Sequence, residues 1–445
     1  MRRPLRRLLV AGLAFTAAMA ALVLTGARLG TPVFFACAAI GAVSYGSILP
    51  LIWHAPPADR RLFFAALGLA VLIRVPLALS RVDAGSDMYR YIWDGRVQVL
   101  GYNPYAVLPA DPALAFTHAD DTTRLMASRN RRTPYPPAAQ LFFRAVVSLS
   151  DSMWAMKEAL IVCDLITIVF VWRWLLATGR SEWLALAYAW NPLVVLEAAF
   201  SGHVDVLCAM WTAACACWLA RRRRALAAAA LALAVASKLL PVVLVPLLWR
   251  RIRLRDAAVG AAVGAVLYLP FALGGNPFVE LGGIVESIRF NGPLFRAVAA
   301  LATPRAAAAV AVAVGWLLAV VCRARLDGGD PAAWAWPMAA SLVFAPVVYP
   351  WYLLSLTPFL LVPATLPLQA WTASILSGYV VWEIARAGGP WLVPWPVLTL
   401  EYGTVAAGLV ALAVWQRAPL DRAATIDDAP RTSVWPRPPR NPRAG

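Results

Sequence analysis

Long apolar runs separated by short arginine-rich interruptions fill most of this chain. Runs near or above 18 residues recur, each long enough for a helix to cross a hydrocarbon core of about 30 Å. The pattern predicts spans at about 8–27, 31–53, 62–80, 154–177, 183–201 and 204–220, and at about 256–273, 305–322, 332–349, 351–366, 368–387 and 398–416. The apolar stretch 225–249 has basic clusters on both sides, "RRRR" at 221–224 and "RRIRLR" at 250–255. As a single span it would invert every later segment and leave those arginines outside. A hairpin broken at "SKLLP", with both ends cytoplasmic, avoids this, and halves of about 12 residues rise only about 18 Å, too short to cross alone. Pro241 and Lys238 mark the break.

The expected fold is therefore all-α: a polytopic bundle of about 11–13 transmembrane helices. Arg2, Arg3, Arg6 and Arg7 place the N-terminus in the cytoplasm. The third span then releases the longest polar region, 81–152, on the far side, rich in Pro and Asp and expected to carry short amphipathic helices. Three parts follow: a transmembrane hairpin at 1–61, the main membrane domain at 62–417, and a disordered cytoplasmic tail at 418–445. The start could also be a cleaved signal peptide, but its length favours an uncleaved span.

Composition agrees. Of 445 residues, 61% are hydrophobic and 14% charged, where a soluble domain carries roughly a quarter charged. The net charge of +17 would suggest nucleic acid in a soluble protein, but here the arginines flank apolar runs, so the partner is the lipid bilayer and not nucleic acid. Six cysteines lie inside apolar runs with neither disulfide nor zinc spacing. Lys157 and Lys238 are the only lysines, an arginine bias that suggests a GC-rich bacterial genome.

Candidate chemistry collects outside. "GSDMYRYIWDGRVQVLGYNPY", 85–105, predicts a helix over 86–100 with Asp87 and Asp94 two turns apart on one face, Arg90 and Tyr91 between them. A carboxylate at the membrane edge is a reasonable general base; an interfacial helix with solvated charges is the competing explanation. Arg131, Arg132 and Tyr135 in "RNRRTPYPP" form a phosphate cradle or a lipid-headgroup contact. Glu197, His203 and Asp205 sit in apolar sequence, where ionisable groups are costly and point to function. Their spacing is weak for zinc, and a divalent metal such as Mg or Mn is a minor alternative. "YPWY" offers Tyr349, Trp351 and Tyr352 as an aromatic shelf, and Arg289 lies outside beside Glu280 and Glu286. With no P-loop and no GxGxxG after a strand, an enzyme built this way needs an activated substrate delivered in the membrane.

The order "DMYRYIWDGRVQVLGYNPY … TPYPPAAQLFF … WNPLVVLEAAFSGHVDVL … SKLLPVVLVPLLWR … FNGPLF … YPWYLLSLTPFL", over about 60–365, resembles the polytopic GT-C glycosyltransferases, closest to the PIG-M-like and bacterial polyprenol-phosphate-mannose-dependent mannosyltransferases. The resemblance implies transfer of a hexose, mannose first, from a polyprenyl-phosphate sugar to a glycan or lipid acceptor on the extracytoplasmic face of a bacterial inner membrane, with inversion. The family's acidic motif reads Gly85-Ser86-Asp87 here, keeping only the second acid, so Asp87 is the implied base. Arg131, Arg132 or Arg289 would hold the phosphate, His203, Asp205 and Tyr135 would surround sugar and phosphate, and Lys238 would face the lipid phosphate or a cytoplasmic partner. The alternatives are a transporter or flippase of lipid or lipid-linked glycan, and a GT-C enzyme using another sugar such as arabinose.

Overall fold

The structure is a computed structural model. It describes the backbone of residues 2–54, 56–83, 86–118, 121–272, 274–276 and 278–424, and the side chains of these apart from 2, 121, 122 and 415–424. Gly85 of the acidic motif, and the expected tail from 425 onward, lie outside the described residues. Among the described residues the chain is helical without a strand, and one isolated bridge joins Phe290 to Val347.

The principal helices are α1 (Arg2–Leu24), α2 (Pro32–His54), α3 (Arg60–Ala78), α4 (Asp87–Val99), α5 (Pro137–Leu149), α6 (Met153–Ala177), α7 (Asp205–Ala220), α8 (Arg224–Ser237), α9 (Leu254–Tyr268), α10 (Val279–Ser287), α11 (Pro293–Leu301), α12 (Pro304–Arg325), α13 (Pro331–Val343) and α14 (Trp395–Ala424). Seven helices are long and apolar enough to cross a membrane, or eight with the bent pair Glu182–Ala189 and Pro192–Ser201, so the chain is a multi-pass membrane protein. Of the remaining expected spans, 204–220 is the unbroken 16-residue α7, 332–349 is shortened to α13, and the other three are broken helices whose sequences say why. Pro192 follows the N-cap Asn191 and bends 183–201 by 56°. Span 351–366 is a 3₁₀ helix, Pro350–Phe359, with Pro358 inside it. In 368–387 the Ser374 and Ser377 hydroxyls bond to the carbonyls of Trp371 and Ser374, where the helix tightens to 3₁₀.

Basic residues gather at one end of the bundle. Arg60 pairs with Glu182 (3.1 Å), Arg180 reaches the Gly329 carbonyl (2.9 Å), and Arg323 reaches the Trp249 carbonyl (3.0 Å). From this end α8 rises about 21 Å to Lys238, and a 3₁₀ segment, Leu240–Leu248, leads back. Its feet meet again: Arg222, Arg223 and Arg224 share a surface cavity with Arg253 and Arg255. That closure is what a broken hairpin at 225–249 requires. A second hairpin, α13 and Pro350–Phe359, replaces two full spans expected at 332–349 and 351–366 and carries Tyr349 at its turn.

Charges inside the bundle are answered locally. Arg74 of α3 and Asp164 of α6 are fully buried and paired through Nε; Arg74 also donates to the carbonyls of Ala70 and Ala189 (both 2.8 Å), and the Tyr188 hydroxyl donates to Asp164 (2.9 Å). Lys157 donates to the Leu77 and Ser80 carbonyls and the Ser80 hydroxyl (2.7, 2.8 and 2.7 Å), capping α3 and fixing where the loop after it begins. The Tyr45 hydroxyl ties α2 to the Ala187 carbonyl (3.0 Å), so the N-terminal pair packs into the bundle.

Removing one partner of a buried ion pair strands the other charge and costs about 3–5 kcal/mol, whereas replacing both by apolar residues restores much of that. Asp164→Ala should therefore lower the thermal unfolding midpoint in detergent well below that of the Arg74→Met/Asp164→Leu double variant. Equal midpoints would show that the pair is not the determinant.

Candidate active site

Ser86 caps α4 by accepting the Met88 N–H (3.3 Å), and Asp87 in the first turn complements the helix dipole. The helix ends at Leu100, with Gly101 in the left-handed region (φ +88°). It is buried nearly all round, and this separates its two acids. Asp94 is fully buried and accepts from Arg90 Nε (2.7 Å), Thr133 Oγ1 (2.6 Å) and Gln140 Nε2 (2.8 Å). Arg90 also donates to the Arg131 carbonyl (2.9 Å). Asp94 therefore pins the 129–137 loop and α5 onto α4 without touching the cavity that Asp87 faces. Asp87 lies at the wall, half-exposed, and among the described residues it carries no ion pair.

That cavity encloses about 860 Å³ at the end of the bundle away from the arginine feet. One wall holds Asp87, Arg90, Arg131, Arg132 and Tyr135; a second holds His203, Asp205 and Lys238; a third holds Tyr349, Trp351, Tyr352 and Arg289. Residues more than 100 apart in sequence thus share one cavity. Burial, reinforced by the Asp87 charge, keeps the Tyr135 hydroxyl protonated well above its ordinary range, leaving it a donor toward that carboxylate.

Most of the other polar groups are already engaged. Lys238 Nζ lies 2.9 Å from Asp205 Oδ1 and 4.2 Å from the centre of the Tyr352 ring. Arg131 bonds Glu280 (3.0 Å) and Ser287 (3.3 Å) of α10. Arg289 turns back onto the carbonyls of Val285 and Ile288 (2.8 and 2.7 Å). Arg132 is exposed at the cavity and, among the described residues, has no carboxylate partner. Leu281 and Ile284 of α10, with Ala308, Ala311 and Val312 of α12, make one flank apolar.

Two further sequence candidates stand behind the wall. Tyr91 stacks on Phe143 (4.6 Å) and its hydroxyl accepts the Val204 N–H (3.3 Å). Glu197 is fully buried, accepts from the Tyr379 hydroxyl (2.7 Å) and meets His203 Nδ1 (2.7 Å). The His203 ring stacks on Trp351 (4.0 Å between centroids), which stacks on Tyr349 (4.5 Å). Glu197 thus orients His203, and Glu197, Tyr91 and Asp94 are not among the residues that line the cavity. The site also includes Arg81, Ser201, Trp382 and Trp391. Arg81 was legible as an outer-loop cation; the other three carry no local signal. Among the described residues no group of three or more His, Cys, Asp or Glu is placed to hold a metal.

A π-helix at Leu196–Ser201 produces this arrangement, followed by Gly202 at φ +71°, a conformation that disfavours a side chain. A Cβ there would also lie 2.0 Å from Met88 Cε, beside Asp87.

The described residues thus form an all-α multi-pass bundle with a large cavity lined by acid, cations and aromatics at one end. The family of alpha-(1->6)-mannopyranosyltransferases called MptA_B, through the model of its N-terminal domain, matches residues 9–252, more than half of the chain. The chain belongs to that family, which makes it an α-mannosyltransferase with a sugar donor and a glycan or lipid acceptor. A comparison with curated proteins finds no match.

Gly202→Ala should lower transfer activity more than stability. Adding Met88→Ala should recover only part of the loss, since it relieves the contact but not the left-handed strain of about 1–2 kcal/mol. Full recovery in the double variant, read as transfer rate at equal expression, would mean that backbone conformation at 202 is unimportant.

Proposed function

We propose that the chain transfers mannose from a polyprenyl-phosphate donor to a hydroxyl of a glycan or lipid acceptor, with Asp87 as general base. The observation that carries this reading is the state of the carboxylates around the cavity. Of the acids that line the cavity, Asp205 is paired with Lys238, Glu280 with Arg131, and Asp83 accepts the Leu29 N–H (3.2 Å), whereas Asp87 carries no ion pair among the described residues. A base must be free to accept the acceptor's proton.

The chemistry follows. The acceptor hydroxyl attacks the anomeric carbon while its proton passes to Asp87. The bond from that carbon to the phosphate oxygen breaks, and its electron pair leaves on the polyprenyl phosphate. Backside attack inverts the configuration, so an α product requires a β-linked donor. The α-(1→6) linkage made by this family supports a primary hydroxyl at sugar O6 as the nucleophile. Negative charge grows on the leaving phosphate, so Lys238, Arg131, Arg132 and Arg289 stabilise the transition state more than the ground state. The Tyr349–Trp351 stack suits the apolar face of a sugar ring, and the flank of α10 and α12 suits the prenyl chain.

With the arginine feet in the cytoplasm, both termini are cytoplasmic and the cavity opens on the extracytoplasmic side of a bacterial inner membrane. The segments 1–61, 62–417 and 418–445 then read as an N-terminal hairpin, the catalytic membrane domain and a tail.

The test is transfer of labelled mannose from polyprenyl-phosphate-mannose in nanodiscs. Asp87→Asn should lower kcat by about 10²–10⁴-fold with little change in donor KM. Arg132→Gln should lower kcat less than this and also raise donor KM, since Arg132 holds the phosphate in the ground state and more strongly in the transition state. Transfer that survives Asp87→Asn keeps the enzyme class and discards this base; transfer from a nucleotide sugar alone discards the donor.

A further inference from the structure

At the far end of the bundle, the feet of the α8 hairpin form a second cavity, of about 600 Å³, which the transfer reaction does not use. Arg222, Arg223, Arg224, Arg253 and Arg255 line it together with one acid, Asp256. Asp256 is already engaged: its Oδ2 accepts the Arg253 N–H (2.9 Å) at the start of α9. Among the described residues, none of the five guanidinium groups has a carboxylate partner. Arg222 holds a left-handed backbone (φ +58°), unusual for a side-chain-bearing residue, and this turn sets three consecutive arginines around the concavity. Positive-inside flanking requires arginines near a membrane end, but not two clusters 30 residues apart folded onto one hollow.

We propose that this cavity binds the phosphate of an anionic glycerophospholipid headgroup. Five cations in one hollow repel each other, and a phosphate oxygen set accepts from several guanidinium groups at once while neutralising them. The N-termini of α8 and α9 both open here and add partial positive charge. The rim says that the phosphate belongs to a lipid. Leu226 is 42% exposed and Leu254 89% exposed beside the arginines, and Trp249, at the foot of the same hairpin, is 69% exposed. Apolar side chains and an indole at the level of a basic hollow fit the boundary between headgroups and acyl chains. Such a headgroup would clasp both feet of the hairpin whose tip carries Lys238 to the other cavity.

The test uses the full chain in mixed micelles, with retained lipid read by native mass spectrometry, and so does not depend on transfer activity. Phosphatidylglycerol should be retained in preference to phosphatidylcholine. The Arg222→Gln/Arg224→Gln/Arg255→Gln variant should retain it about a hundredfold more weakly. Arg3→Gln/Arg6→Gln/Arg7→Gln, which removes the same charge elsewhere, should not. If the first variant misfolds, the wild type still decides: phosphatidylglycerol should protect Arg222–Arg224 from phenylglyoxal, and phosphatidylcholine should not. Equal retention by both triple variants, or no protection, overturns the site. Protection by millimolar inorganic phosphate but not by phosphatidylglycerol overturns the lipid assignment.

Discussion

Desolvation of charge governs this molecule. An ionised side chain taken into an apolar bundle costs several kcal/mol unless it is paired and hydrogen-bonded. The chain meets that constraint repeatedly: Arg74 with Asp164, Lys157 on helix-end carbonyls, Asp94 with Arg90, and Glu401 held by Asn291 Nδ2 (2.8 Å) and the Trp371 indole (2.6 Å). Each closure also fixes two or more segments, so that neutralising charge and assembling the bundle are the same act. Where the closure is incomplete, at Asp87 and Arg132, the protein has room to act on something else.

The same constraint builds the cavity. Glu401 of α14 holds Asn291, the Phe290 carbonyl accepts the Val348 N–H (2.9 Å), and the "YPWY" turn is thereby set against "RFNG". Glu197 holds His203 at the angle that stacks it on Trp351. Asp94 holds the loop that presents Arg131, Arg132 and Tyr135. A ring of supports thus stands behind the wall, each a buried carboxylate, and the groups that face the substrate are positioned by charges that never meet it.

Much of this was legible in the sequence, because apolar length and arginine placement report directly on the cost of burying charge. The all-α multi-pass class, the α4 boundaries, the broken hairpin at 225–249 and the aromatic turn at 349–352 follow from local patterns of that kind. Which acid faces the cavity did not follow. Asp87 and Asp94 share a helix face by spacing, but α4 is enclosed on nearly every side, and only the partners Thr133 and Gln140, about 40 residues away, assign Asp94 to support. The contacts of Glu197 with Tyr379 and of Glu401 with Asn291 span more than 100 residues and leave no periodic trace. The 3₁₀ and π segments were equally hidden, since apolar runs look alike whether the helix stays regular or tightens at a proline.

The most direct measurement is a cryo-EM structure of the Asp87→Asn protein trapped with polyprenyl-phosphate-mannose. The donor phosphate is expected among Lys238, Arg131, Arg132 and Arg289, with the anomeric carbon open to attack from the side of residue 87. A phosphate seated against residue 87, or a mannose outside the cavity altogether, would contradict this.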